Sequence, residues 1–331
     1  MLLAAISNAW TDQLLANGGD LQPLVAEAAA RGARHVELRM GSLGAGEVGT
    51  GSRGTGYQPG DIGHAGDPQW RPVLPVLAGL AAAHPQLTFN LAVSFKIYGG
   101  DSEPAQVDPR GEQLALAIEA AALLGRPPTP LPPDWPLISS WCGPHLRIVD
   151  PAHFGGPGGA WGSWEAEEDV PEAAVATVAA VAARVISEHC LRLSIENSGQ
   201  PFRSMGLLLQ RCRRRLPAEQ AAELGLCFDP TNPVMSDMPG DALAELAELP
   251  PDMLMLAHFK QCAGRSMIPK VADGDVDFRR YLRVLDRAKY CGPLVFENPP
   301  HPAALENLSE SFDYIRSLQQ AGKVGMRAAA L

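Results

Sequence analysis

The sequence is most readable at first through what it lacks. Its six cysteines stand singly, with no Cys-x-x-Cys pair, which leaves neither a disulfide framework nor a zinc–thiolate site and fits a reducing compartment. Basic residues are in deficit, 27 Lys and Arg against 37 Asp and Glu for a net charge of −10. An acidic surface repels phosphate backbones and argues against extended nucleic-acid binding. The one dense basic cluster, RCRRR at 211–215, reads as the solvated end of a helix, where cations are favoured. No apolar run is long enough to span a bilayer, and the opening MLLAAISNAW has no basic leader region. The expectation is a cytoplasmic protein with no membrane and no nucleic-acid partner. A dinucleotide fingerprint is missing too. The nearest match, GTGSRG at 49–54, sits well past a strand and opens no helix, which disfavours a doubly wound sheet.

What the chain does have is alternation on a larger scale. Eight apolar, strand-like runs are spaced along its 331 residues: 2–7, 35–40, 87–95, 145–150, 191–196, 224–229, 253–259 and 293–297. A helix-like stretch follows each. In DFRRYLRVLDRAKY the apolar residues Phe278, Tyr281, Leu282 and Leu285 fall at helical spacing. In the stretch after Pro171 and Glu172, which suit a first turn, Val175, Val178, Ala182 and Val185 form one stripe. Eight strand–helix units predict an α/β fold, a (β/α)8 TIM barrel in a single domain over 1–320 with a short tail over 321–331. The glycine-rich stretch 41–66 is expected as a long loop, and the proline-rich 125–144 as a stiff connector below the barrel. Residues 151–169 should overhang the top face, where Trp161 and Trp164 would serve either as a lid stacking on a substrate or as anchors of the loop.

Side-chain alternation along the strands then sorts inside from outside. In LRLSIE, Leu191, Leu193 and Ile195 face the helices, which turns Ser194 and Glu196 to the axis. The same parity points Cys227 and Asp229 inward from LGLCFD, and Val295 and Glu297 inward from PLVFE. Strand two sends Glu37 and Arg39 in, to pair with each other or with neighbours; strand seven is apolar on both sides, so parity does not place His258. Glu196, Asp229, His258 and Glu297 thus end four consecutive strands. Three carboxylates converging at one rim repel one another unless protonated or neutralised. One divalent cation resolves the conflict, and the O,O,N,O donor set suits Mn, Mg, Co or Zn.

Taken in strand order, IENSG, CFDPTN, AHFKQ, DGDVDF and VFENP resemble the xylose isomerase-like TIM barrel superfamily, and within it the sugar (phosphate) isomerase/epimerase branch. The resemblance implies a metal held by Glu196, Asp229, His258 and Glu297, with Glu196 and Glu297 doubling as a proton-transfer pair. It also implies a small sugar or polyol substrate and, by family habit, a homodimer or homotetramer. The sequence departs from the pattern at Asn232, where many epimerases carry a histidine; an amide donates hydrogen bonds but moves no proton. Asn232, Lys260, Arg265 and Lys96 are the candidate substrate-binding residues, Lys260 equally able to form an internal ion pair. No glycine-rich turn follows strand eight, where barrels often hold phosphate, so an unphosphorylated substrate is expected. The leading expectation is a metal-dependent isomerase or epimerase. The alternatives are a dehydratase on a cyclic polyol or keto acid, an abasic-site endonuclease, and a silent barrel that only binds.

Overall fold

The structure, a computed structural model, describes residues 1–18, 20–39, 73–95, 97, 107–131, 143–149, 164–198, 200–238 and 240–328. The 41–66 loop, Lys96, Trp161 and much of the proline-rich connector lie outside the described residues.

Eight parallel strands close on themselves: β1 (Leu2–Ile6), β2 (His35–Arg39), β3 (Thr88–Ser94), β4 (His145–Val149), β5 (Arg192–Glu196), β6 (Leu224–Phe228), β7 (Leu254–Phe259) and β10 (Pro293–Phe296). Between β7 and β10 the chain makes a small antiparallel hairpin, β8 (Gln261–Ala263) and β9 (Ser266–Ile268), which the apolar pattern did not reveal. Met253, expected within strand seven, belongs instead to a short 3-10 turn, Pro251–Met253. Around the barrel β5, β6, β7 and β10 are neighbours in that order, and β1 closes against β2. The (β/α)8 barrel expected from the sequence is the fold. Its last helix, Ala304–Ala328, runs beyond residue 320, where the barrel was expected to end.

The helices follow from their patterns. Glu172–Ser187 starts after Pro171 and buries Val175, Val178, Ala182 and Val185, as the stripe predicts. Phe278–Arg287 is capped by Asp277, whose side chain accepts from Arg280 N, and it buries Phe278, Tyr281, Leu282 and Leu285. A capping acid of this kind contributes about 1 kcal/mol.

The outward faces of the late strands carry aromatic rings. Phe259 of β7 stacks on Phe278 at 5.0 Å and on Tyr281 at 4.9 Å; Phe296 of β10 meets Phe312 edge-on at 4.9 Å. Phe228 of β6 lies between Phe202 and Tyr281, at 4.8 and 5.3 Å. Each such pair adds ~0.5–1.5 kcal/mol beyond burial, and together they fix the strand register. A one-residue slip would turn every side chain to the opposite face. Holding Phe228 and Phe296 outward therefore holds Asp229 and Glu297 inward. Gly225 lets β6 approach the turn that leads into β7 closely, since a Cβ there would stand 2.3 Å from Met253 O.

The barrel interior is polar rather than aliphatic. His35, Glu37, Asn90, Arg147, Ser194 and His258 are all fully buried, and polar groups at this depth require partners.

Candidate metal centre

Glu196 is the last residue of β5, Asp229 follows β6, His258 is the penultimate residue of β7 and Glu297 follows β10. Their positions on four adjacent strands bring one ligand-type atom from each within 4.8 Å of the others, all in buried surroundings. His258 Nδ1 lies 3.2 Å from Glu297 Oε2, 3.7 Å from Glu196 Oε1 and 3.9 Å from Asp229 Oδ2.

Local bonds fix each acid. Asp229 Oδ1 accepts from Thr231 N at 2.7 Å and Asn232 N at 3.2 Å, an Asx turn that the DPTN sequence builds. The side chain of Asn197 then clasps the Asp229 backbone from both ends: Asn197 Nδ2 donates to Asp229 O at 2.8 Å, and Asp229 N donates to Asn197 Oδ1 at 2.7 Å. Glu297 Oε1 accepts from Asn8 Nδ2 at 3.0 Å. Glu196 Oε1 accepts from Asn232 Nδ2 at 3.2 Å, and Glu196 Oε2 pairs with Arg147.

Behind this cluster stands a fourth carboxylate, Glu37. Glu37 Oε1 is 3.3 Å from His258 Nε2, on the side of the imidazole away from the other acids. Arg147 donates to both Glu37 oxygens, at 2.7 and 3.0 Å, and Asn90 Nδ2 adds a bond at 2.8 Å. A carboxylate facing the far nitrogen of a ligand histidine is the usual way a protein sets its tautomer and orientation. Arg39 does not pair with Glu37; it donates to Ser94 Oγ at 3.0 Å.

The electrostatics favour a cation. Burial alone would raise Glu37, but the Arg147 guanidinium and His258 outweigh it and hold the acid well below its usual range. Burial and the neighbouring charges of Glu196 and Glu297 push Asp229 up, against the pull of Lys260. Burial would also raise Glu297, but Lys260 and His258 overcome it and hold it well below. Lys260 Nζ lies 2.7 Å from Asp229 Oδ2 and 3.2 Å from Glu297 Oε2; burial would lower its pKa, yet those two acids raise it, so it stays an ammonium. Glu37, Glu196, Asp229 and Glu297 therefore face two permanent cations in contact with them, Arg147 and Lys260. Burial would lower His258, but Cys227 and Glu37 hold its pKa well above the usual imidazole value; counted instead as the neutral imidazole a metal requires, it leaves two negative charges, the charge of one divalent ion. Asp229 Oδ2 and His258 Nε2 are buried without hydrogen-bond geometry to any group, as is Asn8 Oδ1 close by. The residues fit a cation of the Mn, Mg, Co or Zn type.

Of the residues expected at the site, the structure brings together Glu196, Asp229, His258, Glu297, Asn232 and Lys260. Asn232 is turned to Glu196 and to Asn197 O, at 2.8 Å, so it supports an acid of the cluster. Arg265 stands apart: it is exposed at the β8–β9 turn, and its contacts are Asp237 and Met235 O. Trp164 is no free lid residue, being packed into the core with its backbone N–H donated to Ser204 Oγ. The basic cluster 211–215 is not simply solvated either. Arg211 reaches the carbonyls of Glu167 and Val170, Arg213 pairs with Asp252, Arg214 with Glu167 and Arg215 with Glu172. Sequence reasoning missed Arg147 and Asn8. The alternation in HLRIV, with Leu146 and Ile148 outward, was signal enough for Arg147; Asn8 lies just past β1 in a short 3-10 turn, Ser7–Trp10, which parity does not cover.

Among the described residues no helix is long and apolar enough to cross a membrane. No curated protein matches the chain in sequence. Solved structures do match in shape. A D-allulose 3-epimerase from Methylomonas sp. superposes with a TM-score of 0.60 at 14% identity, covering 96% of this chain and 98% of that one. A xylose isomerase domain protein from Alicyclobacillus acidocaldarius gives 0.58 at 16% identity, with 96% and 98% covered. The IOLI protein, described with a bound zinc atom, gives 0.58 at 11% identity, with 96% of each chain covered. At such identities the likeness is one of fold. The sequence model of the xylose isomerase-like TIM barrel matches residues 25–318, and the chain belongs to that family.

Proposed function

We propose that this chain is a divalent-metal-dependent isomerase or epimerase acting on a small, neutral sugar or related polyhydroxylated ketone. The observation that carries the reading is the buried convergence of Glu196, Asp229, His258 and Glu297 at the C-terminal rim of the barrel, the face where such barrels place their chemistry. A divalent cation held by those four residues would polarise a carbonyl and its neighbouring hydroxyl. The protein's own part is proton transfer. Glu196 and Glu297 stand on strands separated by β6 and β7, so they address a substrate from different sides. One takes the proton from the carbon beside the carbonyl and the other returns it, which inverts that carbon; return to the adjacent carbon isomerises the sugar. Arg147 and Asn232 hold Glu196, while Asn8 holds Glu297, so neither acid needs to reorganise during transfer.

A neutral substrate follows from the charge balance, because four carboxylates against Arg147, Lys260 and a divalent ion leave no net charge to attract an anion. The arginines at 211–215 are committed to Glu167, Glu172 and Asp252, which supports a protein without a nucleic-acid partner. The D-allulose 3-epimerase and the zinc-bearing protein of the same fold add support for sugar chemistry and for a metal.

A dehydratase is the second reading, favoured by one position: Asn232 supplies no proton shuttle where many epimerases have a histidine. Incubation of the metal-loaded protein with a panel of ketopentoses and ketohexoses in D2O tests both. Deuterium incorporated beside the carbonyl, with an epimeric or isomeric product, supports the first reading. A product with new ultraviolet absorption from a conjugated carbonyl supports the second, and neither outcome with any substrate would remove the sugar assignment.

A further inference from the structure

Two acids of the cluster, Asp229 and Glu297, each have one oxygen engaged by a neutral donor and one that is not. Asp229 Oδ1 is taken by the N–H groups of Thr231 and Asn232, leaving Oδ2. Glu297 Oε1 is taken by Asn8, leaving Oε2. Those two remaining oxygens are the ones that Lys260 Nζ touches, at 2.7 and 3.2 Å. An ammonium and a divalent ion therefore have the same partners.

We infer that Lys260 is a displaceable counter-ion, which neutralises Asp229 and Glu297 while the centre is empty of metal and competes with the incoming cation for the same two oxygens. The inference rests on the metal-centre reading above. The geometry supplies both halves of the device. The base of the side chain is fixed, because Lys260 O accepts from Thr231 Oγ1 and the residue is buried. The ammonium rides on a flexible four-carbon stem and withdraws without moving the backbone. Buried carboxylates left without any cation destabilise a fold strongly. With Lys260 present the barrel keeps its shape without metal, and the metal is held less tightly than the donor set alone would hold it.

The test is a calorimetric titration of Mn2+ into chelator-treated protein, with thermal unfolding of the same metal-free samples. Wild type, Lys260→Met and Lys260→Arg are compared. The inference predicts that Lys260→Met binds Mn2+ at least about tenfold more tightly than wild type, that its metal-free form melts several degrees lower, and that added Mn2+ restores the difference. Lys260→Arg, which keeps the charge, should bind no more tightly than wild type; it serves as the comparison if the methionine variant does not fold, with Lys260→Gln taking the neutral role. Wild type that binds one Mn2+ while neutral variants bind it equally or more weakly would overturn the counter-ion role and leave the metal centre standing. If neither wild type nor any variant binds a divalent ion, the metal reading itself falls.

Discussion

Glu37 shows how much of the candidate centre lies one layer below the proposed ligands. It faces His258 Nε2 at 3.3 Å while Arg147 grips it from the other side. Replacing Glu37 with Gln should lower metal affinity about 10- to 100-fold, by analogy with other orienting partners of ligand histidines, while the fold survives; Mn2+ titration and a thermal melt separate the two effects. Removing Arg147 is a different experiment, because it strands Glu37 as an uncompensated buried charge. Arg147→Met should cost roughly 3–5 kcal/mol of stability, measured by urea unfolding. Deeper still, His35 sits between Thr88 and Asn90, and His145 against Ser194. Burial lowers His35 from 6.5 to about 4 and, with Arg192 nearby, His145 to about 3. Both stay neutral in the fold but take a proton at about 6.5 once unfolded, so the unfolded chain binds more protons as pH falls. Their contribution is complete above that pH and is lost as pH drops through about 4 and about 3, the folded values. Unfolding free energy should decline between pH 7 and pH 5 by roughly 2 kcal/mol for each histidine, and less steeply in His35→Gln. A flat profile would refute their neutral burial.

At the scale of elements, strand ends are placed by what happens on their other faces. Phe228, Phe259 and Phe296 anchor β6, β7 and β10 to the helices, and alternation then aims Asp229 and Glu297 at the axis. This part was legible in the sequence, because period-two alternation is local: Glu196, Asp229 and Glu297 could be turned inward from their own strands alone. His258 was not, since β7 is apolar on both faces and only its pairing with Val295 of β10 fixes its side. Arg147 obeyed the same local rule as the acids and would have emerged from it. The ion pairs themselves, Arg147 with Glu37 and Lys260 with Asp229, join residues far apart in sequence and have no local signature. The clasp between β5 and β6 is of this kind as well. Asn197→Ala removes two buried hydrogen bonds and leaves Asp229 N–H without an acceptor, which should cost about 2–3 kcal/mol and loosen metal binding with it. Hydrogen exchange at the ends of β5 and β6 would report the change directly.

For the molecule as a whole, the barrel's interior holds more buried acids than permanent cations, an excess that suits a metal. Four buried carboxylates, two buried cations and one imidazole meet at the rim, and burial makes any imbalance expensive. The surface repeats none of this: the arginines of 211–215 are matched locally by Glu167, Glu172 and Asp252, and the net charge of −10 is spread over the chain. The strand order and the three rim carboxylates were legible in the sequence, because each follows from the spacing of apolar and acidic residues. The substrate was not, since loop residues lack the alternation that places strand side chains, and Arg265, expected to bind it, is turned to Asp237. The most direct test of the central claim is elemental analysis of native protein beside Asp229→Ala. The account predicts about one Mn, Mg, Co or Zn per chain in the first and none in the second. Native protein that takes up no divalent metal, even after incubation with all four, would contradict it.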